Sequence, residues 1–149
     1  MSVPFNPASS LMPDDGGMTS QSWHISEYID RPVAQVYRYA SDPANLSRWA
    51  AGLGTSAQQV NGQWLVDTPG GRVRFAFAPR NELGVLDHYL TLGSGEVIYV
   101  PMRVIADAGG TEVVFTVRRL PGMTDEEFQL DGAAVAADLA RLKRALEEG

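Results

Sequence analysis

The chain has 149 residues, a formal net charge of −6 and no cysteine. This length suits one domain with a single core. The missing cysteine excludes disulfides, thiolate metal sites and a nucleophilic thiol, and the dispersed acidic charge argues against a nucleic-acid partner.

The beginning of the chain is rich in proline and glycine and shows no periodicity. Residues 1–19 therefore indicate a flexible extension before a domain at residues 20–149. No long apolar run precedes Arg31, the first basic residue. We therefore expect no secretion signal, no membrane span and a cytoplasmic location.

The first predicted elements are a strand over Trp23–Asp30 and a short helix over Val33–Ala40, which Pro32 opens. Asp42 and Pro43 start a second short helix, which runs towards Trp49 and Leu53. After Gly54 the apolar residues alternate with a period of two, which predicts six further strands. These strands cover Thr55–Val60, Gln63–Thr68, Arg72–Ala78, Gly84–Leu92, Glu96–Ala106 and Thr111–Arg119.

Turn signals separate consecutive strands and predict that they pair as antiparallel hairpins. Asn61-Gly62 is the strongest of them, because both residues tolerate the positive φ that a tight hairpin turn requires. Gly70-Gly71 and Gly109-Gly110 occupy equivalent positions between later strands.

The last segment, from Thr124 to Glu148, predicts one long amphipathic helix. Thr124 and Glu127 form a capping-box pattern at its start. Its apolar face has two different halves. The second half carries leucine at every turn and should pack tightly, whereas Gly132 and nearby alanines in the first half predict open space above the sheet.

Several motifs give the chain a family resemblance. Ile29-Asp30-Arg31-Pro32, Val36-Tyr37, Asp42-Pro43 and Trp49 resemble the opening of the START-related, birch-pollen-allergen-like superfamily (SRPBCC). Residues 85–88 and 100–103, with the turn at 121–123, are similar to a bacterial subgroup described as polyketide-cyclase-like. The resemblance covers about residues 20–148.

This resemblance implies an α+β helix-grip fold. In that fold a seven-stranded curved antiparallel sheet, with two short helices after the first strand, wraps around a long C-terminal helix. The superfamily includes polyketide cyclases and lipid-transfer proteins, so the resemblance indicates a scaffold rather than one reaction.

Strand alternation assigns the side chains that line the space between sheet and helix. They are mostly apolar or aromatic, which favours a pocket for a small hydrophobic molecule, lipid or polyketide-like. The predicted ligand-binding residues are Trp64, Val66, Phe75, Phe77, His88, Leu90, Val100, Met102 and Phe115 from the sheet, and Phe128, Asp131, Gly132 and Val135 from the helix.

Polar residues on the inner face are the candidates for chemistry. An inward His88 suits a general base, and Glu27 and Tyr28 are two further candidates for proton transfer. Asp87 should face the opposite side of its strand and should not orient His88. If the first and last strands are neighbours, Glu27 and Arg119 are expected to meet as an ion pair.

Three functions stay open at this level: a hydrophobic-ligand binder, an enzyme of the polyketide cyclase or dehydratase type, and an interaction module of the chaperone-cofactor type. The second would act largely through cavity shape. No phosphate loop or metal motif occurs among the residues, and only two histidines are present, so we expect no cofactor and no metal. The sequence leaves a homodimer open.

Overall fold

The computed structural model describes residues 21–51, 57–68 and 70–149. The extension proposed for residues 1–19 lies outside the described residues, as do Leu53, Gly54 and the start of the strand predicted from Thr55.

The described chain alternates strands and short helices and then ends in one long helix. In chain order the elements are β1 (Ser22–Ile29), α1 (Val33–Ala40), a 3-10 turn (Pro43–Asn45), α2 (Leu46–Trp49), β2 (Ala57–Val60), β3 (Gln63–Thr68), β4 (Gly71–Phe77), β5 (His88–Thr91), β6 (Val97–Val100), β7 (Met102–Asp107), β8 (Gly110–Arg118) and α3 (Asp125–Glu148).

The strands form two antiparallel sheets, in the orders β1-β8-β7 and β2-β3-β4-β5-β6. The α+β helix-grip class is therefore confirmed. The predicted count of seven strands needs a correction, because the strand expected over Glu96–Ala106 is divided at Pro101 into β6 and β7. Proline has no N–H to donate to a ladder, so regular pairing stops there.

The two sheets are joined through the hairpin that contains this break. His88 lies opposite Val100 in β5 and β6, and Val85 forms a bridge with Arg103. Val85 is three residues before His88, and Arg103 is three residues after Val100. The antiparallel register of the two segments therefore continues past Pro101. The sheets therefore belong to one bent surface.

The long helix closes the core with its second half. The Thr124 capping box is confirmed, with Glu127 N–H donating to Thr124 Oγ1 at 3.0 Å and Thr124 N–H donating to Glu127 Oε1 at 2.9 Å. Leu139 and Leu142 are fully buried. Because α3 packs mainly on β1, β8 and α2, the helix leans towards the three-stranded sheet.

The first half of α3 rests directly on β1, and the prediction of open space at Gly132 is wrong. A Cβ atom placed on Gly132 would lie 2.0 Å from Cζ3 of Trp23. The Trp23 ring centroid is also 6.1 Å from that of Phe128. Gly132 thus makes room for the Trp23 indole, and the alanines at 133, 136 and 137 face solvent.

Candidate ligand-binding site

The inner face of the five-stranded sheet is an apolar surface built by cross-strand pairing. Trp64 lies opposite Phe75, Phe75 opposite Leu90, and Leu90 opposite Ile98. Side chains paired in this way are close neighbours on one face. A second row joins Phe77 to His88 and His88 to Val100.

These two rows, extended by Phe115 of β8, form the surface that we call the concave wall. Phe75 is 3% exposed and belongs to the core, as do the fully buried Val66 and Met102. The remaining apolar members of the wall are only half-buried, although they face inward: Trp64, Phe77, Leu90, Ile98, Val100 and Phe115. The wall is therefore partly accessible, as a binding surface for an apolar molecule must be.

His88 lies within this wall and its ring is fixed by three phenyl rings. It stacks on Phe75 at a centroid distance of 5.1 Å and an interplanar angle of 21°. Phe77 and Phe115 meet it edge-on, each at 5.7 Å. The side chain is 4% exposed, so the ring has little freedom to turn.

The protonation of His88 follows from its surroundings. Nδ1 lies 3.1 Å from the Leu86 carbonyl oxygen, which can only accept, so Nδ1 carries the hydrogen. Burial lowers the pKa of the imidazole from 6.5 to about 4. At neutral pH the ring is uncharged and is a poor general base, because efficient proton acceptors have a pKa near the working pH.

Asp87 faces the convex side, as alternation predicted, and holds a polar cluster there. Its Oδ1 accepts from Arg103 Nε and from the Met102 N–H, both at 2.9 Å. Its Oδ2 accepts from Tyr99 Oη at 2.5 Å and Arg103 Nη2 at 2.8 Å. The Arg103 guanidinium is the main reason that the pKa of this carboxyl falls to about 2.

The connection of Tyr99 and Arg103 to Asp87 was not predicted from the sequence. The signal was available in the spacing. Across the hairpin register, outward Asp87 lies between outward Tyr99 and Arg103, next to the proline that interrupts the ladder.

The prediction of an ion pair between Glu27 and Arg119 is wrong. Glu27 lies opposite Val113, whereas the Arg119 N–H donates to the Gln21 carbonyl at the other end of β1. Six residues of strand, roughly 20 Å, separate the two positions. Arg119 instead forms an ion pair with Asp125.

Tyr28 does not face the concave wall. Its ring covers Gly110, where a Cβ atom would lie 2.0 Å from the Tyr28 hydroxyl oxygen, and 40% of the side chain is exposed. Since Tyr28 is on the outer face, the three candidates for proton transfer do not converge on one point.

The helix residues predicted to contact ligand have different positions. Phe128 is buried against Trp23, and Val135 is half-buried beside the core. Asp131 is exposed, although partial desolvation raises the pKa of its carboxyl. Of the predicted helix set, Val135 alone is both apolar and partly accessible.

A groove of about 850 Å³ lies elsewhere, between α1 and residues 80–84. The Arg80 guanidinium covers the Tyr37 ring at 5.5 Å, and the Asn81 N–H donates to the Tyr37 hydroxyl at 3.1 Å. Arg38 and Glu82 also line it. A charged surface groove suits an apolar ligand less well than the concave wall, so we place the candidate site on the wall.

Within the described ranges, no group of three or more histidine, aspartate or glutamate residues is arranged to hold a metal ion. No helix in the same part of the chain is both long and apolar enough to cross a membrane.

A bent antiparallel surface with an apolar inner wall, holding one long C-terminal helix, defines the helix-grip class of proteins. The family described as "Polyketide cyclase / dehydrase and lipid transport" matches residues 20–147. The chain therefore belongs to this family. No match is found among the curated proteins.

Solved structures confirm the fold. The chain is similar to DynU16 of the dynemicin biosynthetic locus, with 20% identity, a TM-score of 0.63, and coverage of 85% of this chain and 47% of DynU16. It thus spans about half of DynU16. It is also similar to Ara h 8.0201 (14% identity, TM-score 0.63, coverage 88% and 100%). The third is the Aha1 dimer from Colwellia psychrerythraea (18% identity, TM-score 0.65, coverage 85% and 96%).

Proposed function

We propose that this protein binds a small hydrophobic molecule, lipid or polyketide-like, on the concave wall. One observation carries the proposal: side chains that face inward and are apolar stay half-buried, because α3 leans on the three-stranded sheet. The family description, which names lipid transport and polyketide cyclisation, supports the same ligand class.

The size of the wall sets the affinity to expect. A two-ring aromatic molecule that buries about 200 Å² of apolar surface gains roughly 5 kcal/mol. Association and ordering costs remove part of this gain. We therefore expect dissociation constants of about 0.2 mM or weaker, in the millimolar range, for a probe such as naphthalene.

The two faces of β6 provide a matched test of the site. Val100 faces the wall and is half-buried, whereas Val97 faces outward and is 57% exposed. We expect Val100→Trp to fill the wall and weaken naphthalene binding about tenfold or more, which is roughly 1.4 kcal/mol. Val97→Trp places the same indole on the convex face and should leave binding unchanged.

Isothermal titration calorimetry of the two variants and the wild type measures the difference. Equal loss of binding in both variants, or no loss in either, contradicts the proposed site. Circular dichroism melts show whether Val100→Trp keeps the fold.

Polyketide cyclisation is the second candidate, and the observation that favours it is the family description. The described residues support it less well, because His88 is a weak base and Tyr28 lies on the outer face. A cyclase here would act by holding a chain in a folded shape. Conversion of an incubated poly-β-ketone at the same rate with and without the protein would remove this candidate.

The interaction-module alternative rests on the convex face. Tyr89 and Tyr99 stack at 5.2 Å and are 41% and 40% exposed, next to the exposed Val97. This tyrosine pair forms a small exposed apolar area that could contact another protein. A homodimer likewise stays a prediction, and sedimentation of the purified protein tests it.

A further inference from the structure

The pairing between residues 84–86, which precede β5, and β7 lacks one ladder hydrogen bond, and the groups that should form it have other partners. Leu86 and Met102 are a register pair, and the Leu86 N–H donates to the Met102 carbonyl at 2.8 Å. An antiparallel pair of this kind normally exchanges a second bond, from the Met102 N–H to the Leu86 carbonyl. Here the Met102 N–H donates to Asp87 Oδ1 instead, at 2.9 Å.

Because the Met102 N–H donates to Asp87, the Leu86 carbonyl can accept a hydrogen bond from His88. Nδ1 of His88 lies 3.1 Å from that oxygen. A carboxylate on the convex face and an imidazole on the concave face are thus connected through two backbone groups. Adjacent residues of a strand point to opposite sides, so no direct contact between Asp87 and His88 is needed.

The bond at Nδ1 determines what the other ring nitrogen presents. A neutral imidazole has one N–H and one lone pair, so Nε2 is an acceptor when Nδ1 carries the hydrogen. Nε2 is at the tip of an inward side chain, distant from its own strand. No hydrogen-bond partner of Nε2 occurs in the ranges that the structure describes.

We propose that His88 Nε2 recognises a hydroxyl group on the ligand, and that Asp87 is the positioning residue that fixes Nε2 as an acceptor. The inference rests on the proposed function, since it concerns the same wall. It narrows the ligand class to apolar ring or chain molecules that carry a phenol or alcohol. Phe77 and Phe115, which are half-buried beside His88, would contact the apolar part of such a ligand.

Three naphthalene probes test the recognition of a hydroxyl. We expect the wild type to bind 2-naphthol roughly three- to tenfold more tightly than naphthalene or 2-methoxynaphthalene, the range for one net hydrogen bond. His88→Phe should lose the preference for 2-naphthol over the other two probes, whatever its own affinity for naphthalene. A preference that persists in His88→Phe overturns the inference.

The same titration separates this inference from the proposed function. Failure of all three probes to bind the wild type contradicts the proposed function itself. Binding of naphthalene with no preference for 2-naphthol contradicts only the role of His88.

The ¹⁵N spectrum of the histidine side chains tests Asp87 without any ligand. The chain has two histidines, and His24→Gln identifies the signals of His88. We expect a protonated Nδ1 and an unprotonated Nε2 in the wild type and in Asp87→Asn, whose amide oxygen still accepts from the Met102 N–H. Asp87→Ala returns that N–H to the Leu86 carbonyl and should raise the fraction of the Nε2–H form.

Two outcomes overturn the positioning role. One is an unchanged tautomer in folded Asp87→Ala. The other is a wild type in which Nε2 carries the hydrogen, which decides the question even where Asp87→Ala does not fold.

Discussion

His88 makes the stability of this protein depend on pH in a defined window. Burial lowers its pKa from 6.5 to about 4, so the folded chain takes up this proton later than the unfolded chain as pH falls. The stabilisation is complete above pH 6.5 and is lost progressively towards pH 4. Its full size is about 3 kcal/mol, from roughly 1.4 kcal/mol per pKa unit.

Chemical denaturation between pH 7 and pH 4 measures this contribution. We expect the stability of His88→Phe to fall less steeply over this range than that of the wild type. Asp87, with a pKa of about 2, loses its contribution at lower pH, between 3.8 and 2. Parallel pH profiles of the wild type and His88→Phe would refute the assignment.

At the scale of elements, the contact between α3 and β1 gives a test in which two effects have opposite signs. Alanine stabilises a helix interior by about 1 kcal/mol relative to glycine. Gly132→Ala would therefore stabilise the protein if the space beside Gly132 were open. The Trp23 ring occupies that space. Because overpacking costs about 1–3 kcal/mol, we expect net destabilisation by up to about 2 kcal/mol.

The double variant isolates the cause. Replacing Trp23 with alanine removes the clash, so Gly132→Ala in the Trp23→Ala background should become stabilising. Thermal melts of the four proteins in this cycle provide the coupling energy. A stabilising Gly132→Ala in the wild-type background would show that the ring does not occupy this position.

Local patterns predicted most of the elements and failed where distant residues decide. Alternation placed His88 inside and Asp87 outside, and Thr124 with Glu127 marked the start of α3, as the structure shows. The filling of Gly132 by Trp23 depends on contact between residues more than 100 positions apart in the chain. The Glu27 and Arg119 prediction failed because neighbouring strands were assumed without a register.

The candidate site shows the same division between local and distant effects. The period of two identified the apolar inner face, because successive side chains of a strand point to opposite faces of the sheet. The bond between Asp87 and Met102 was not predicted, since it arises only where Pro101 interrupts a ladder between two strands. Pro101 itself was the readable sign that the predicted long strand would divide.

At the scale of the whole molecule, we propose that one surface, the concave wall, receives an apolar ligand. Methyl groups lie on both sides of the sheet: Leu90 and Val100 face the wall, and Val97 and Ile105 are exposed on the convex side. An aromatic ring shifts the resonances of the methyl groups that it contacts, so the two sides can be distinguished in one spectrum.

The most direct measurement is therefore a methyl ¹H–¹³C correlation spectrum recorded during titration with naphthalene. We expect the Leu90 and Val100 methyl signals to shift together with one saturating dissociation constant, while those of Val97 and Ile105 stay in place. Saturable shifts at Val97 and Ile105, with Leu90 and Val100 unchanged, would contradict it.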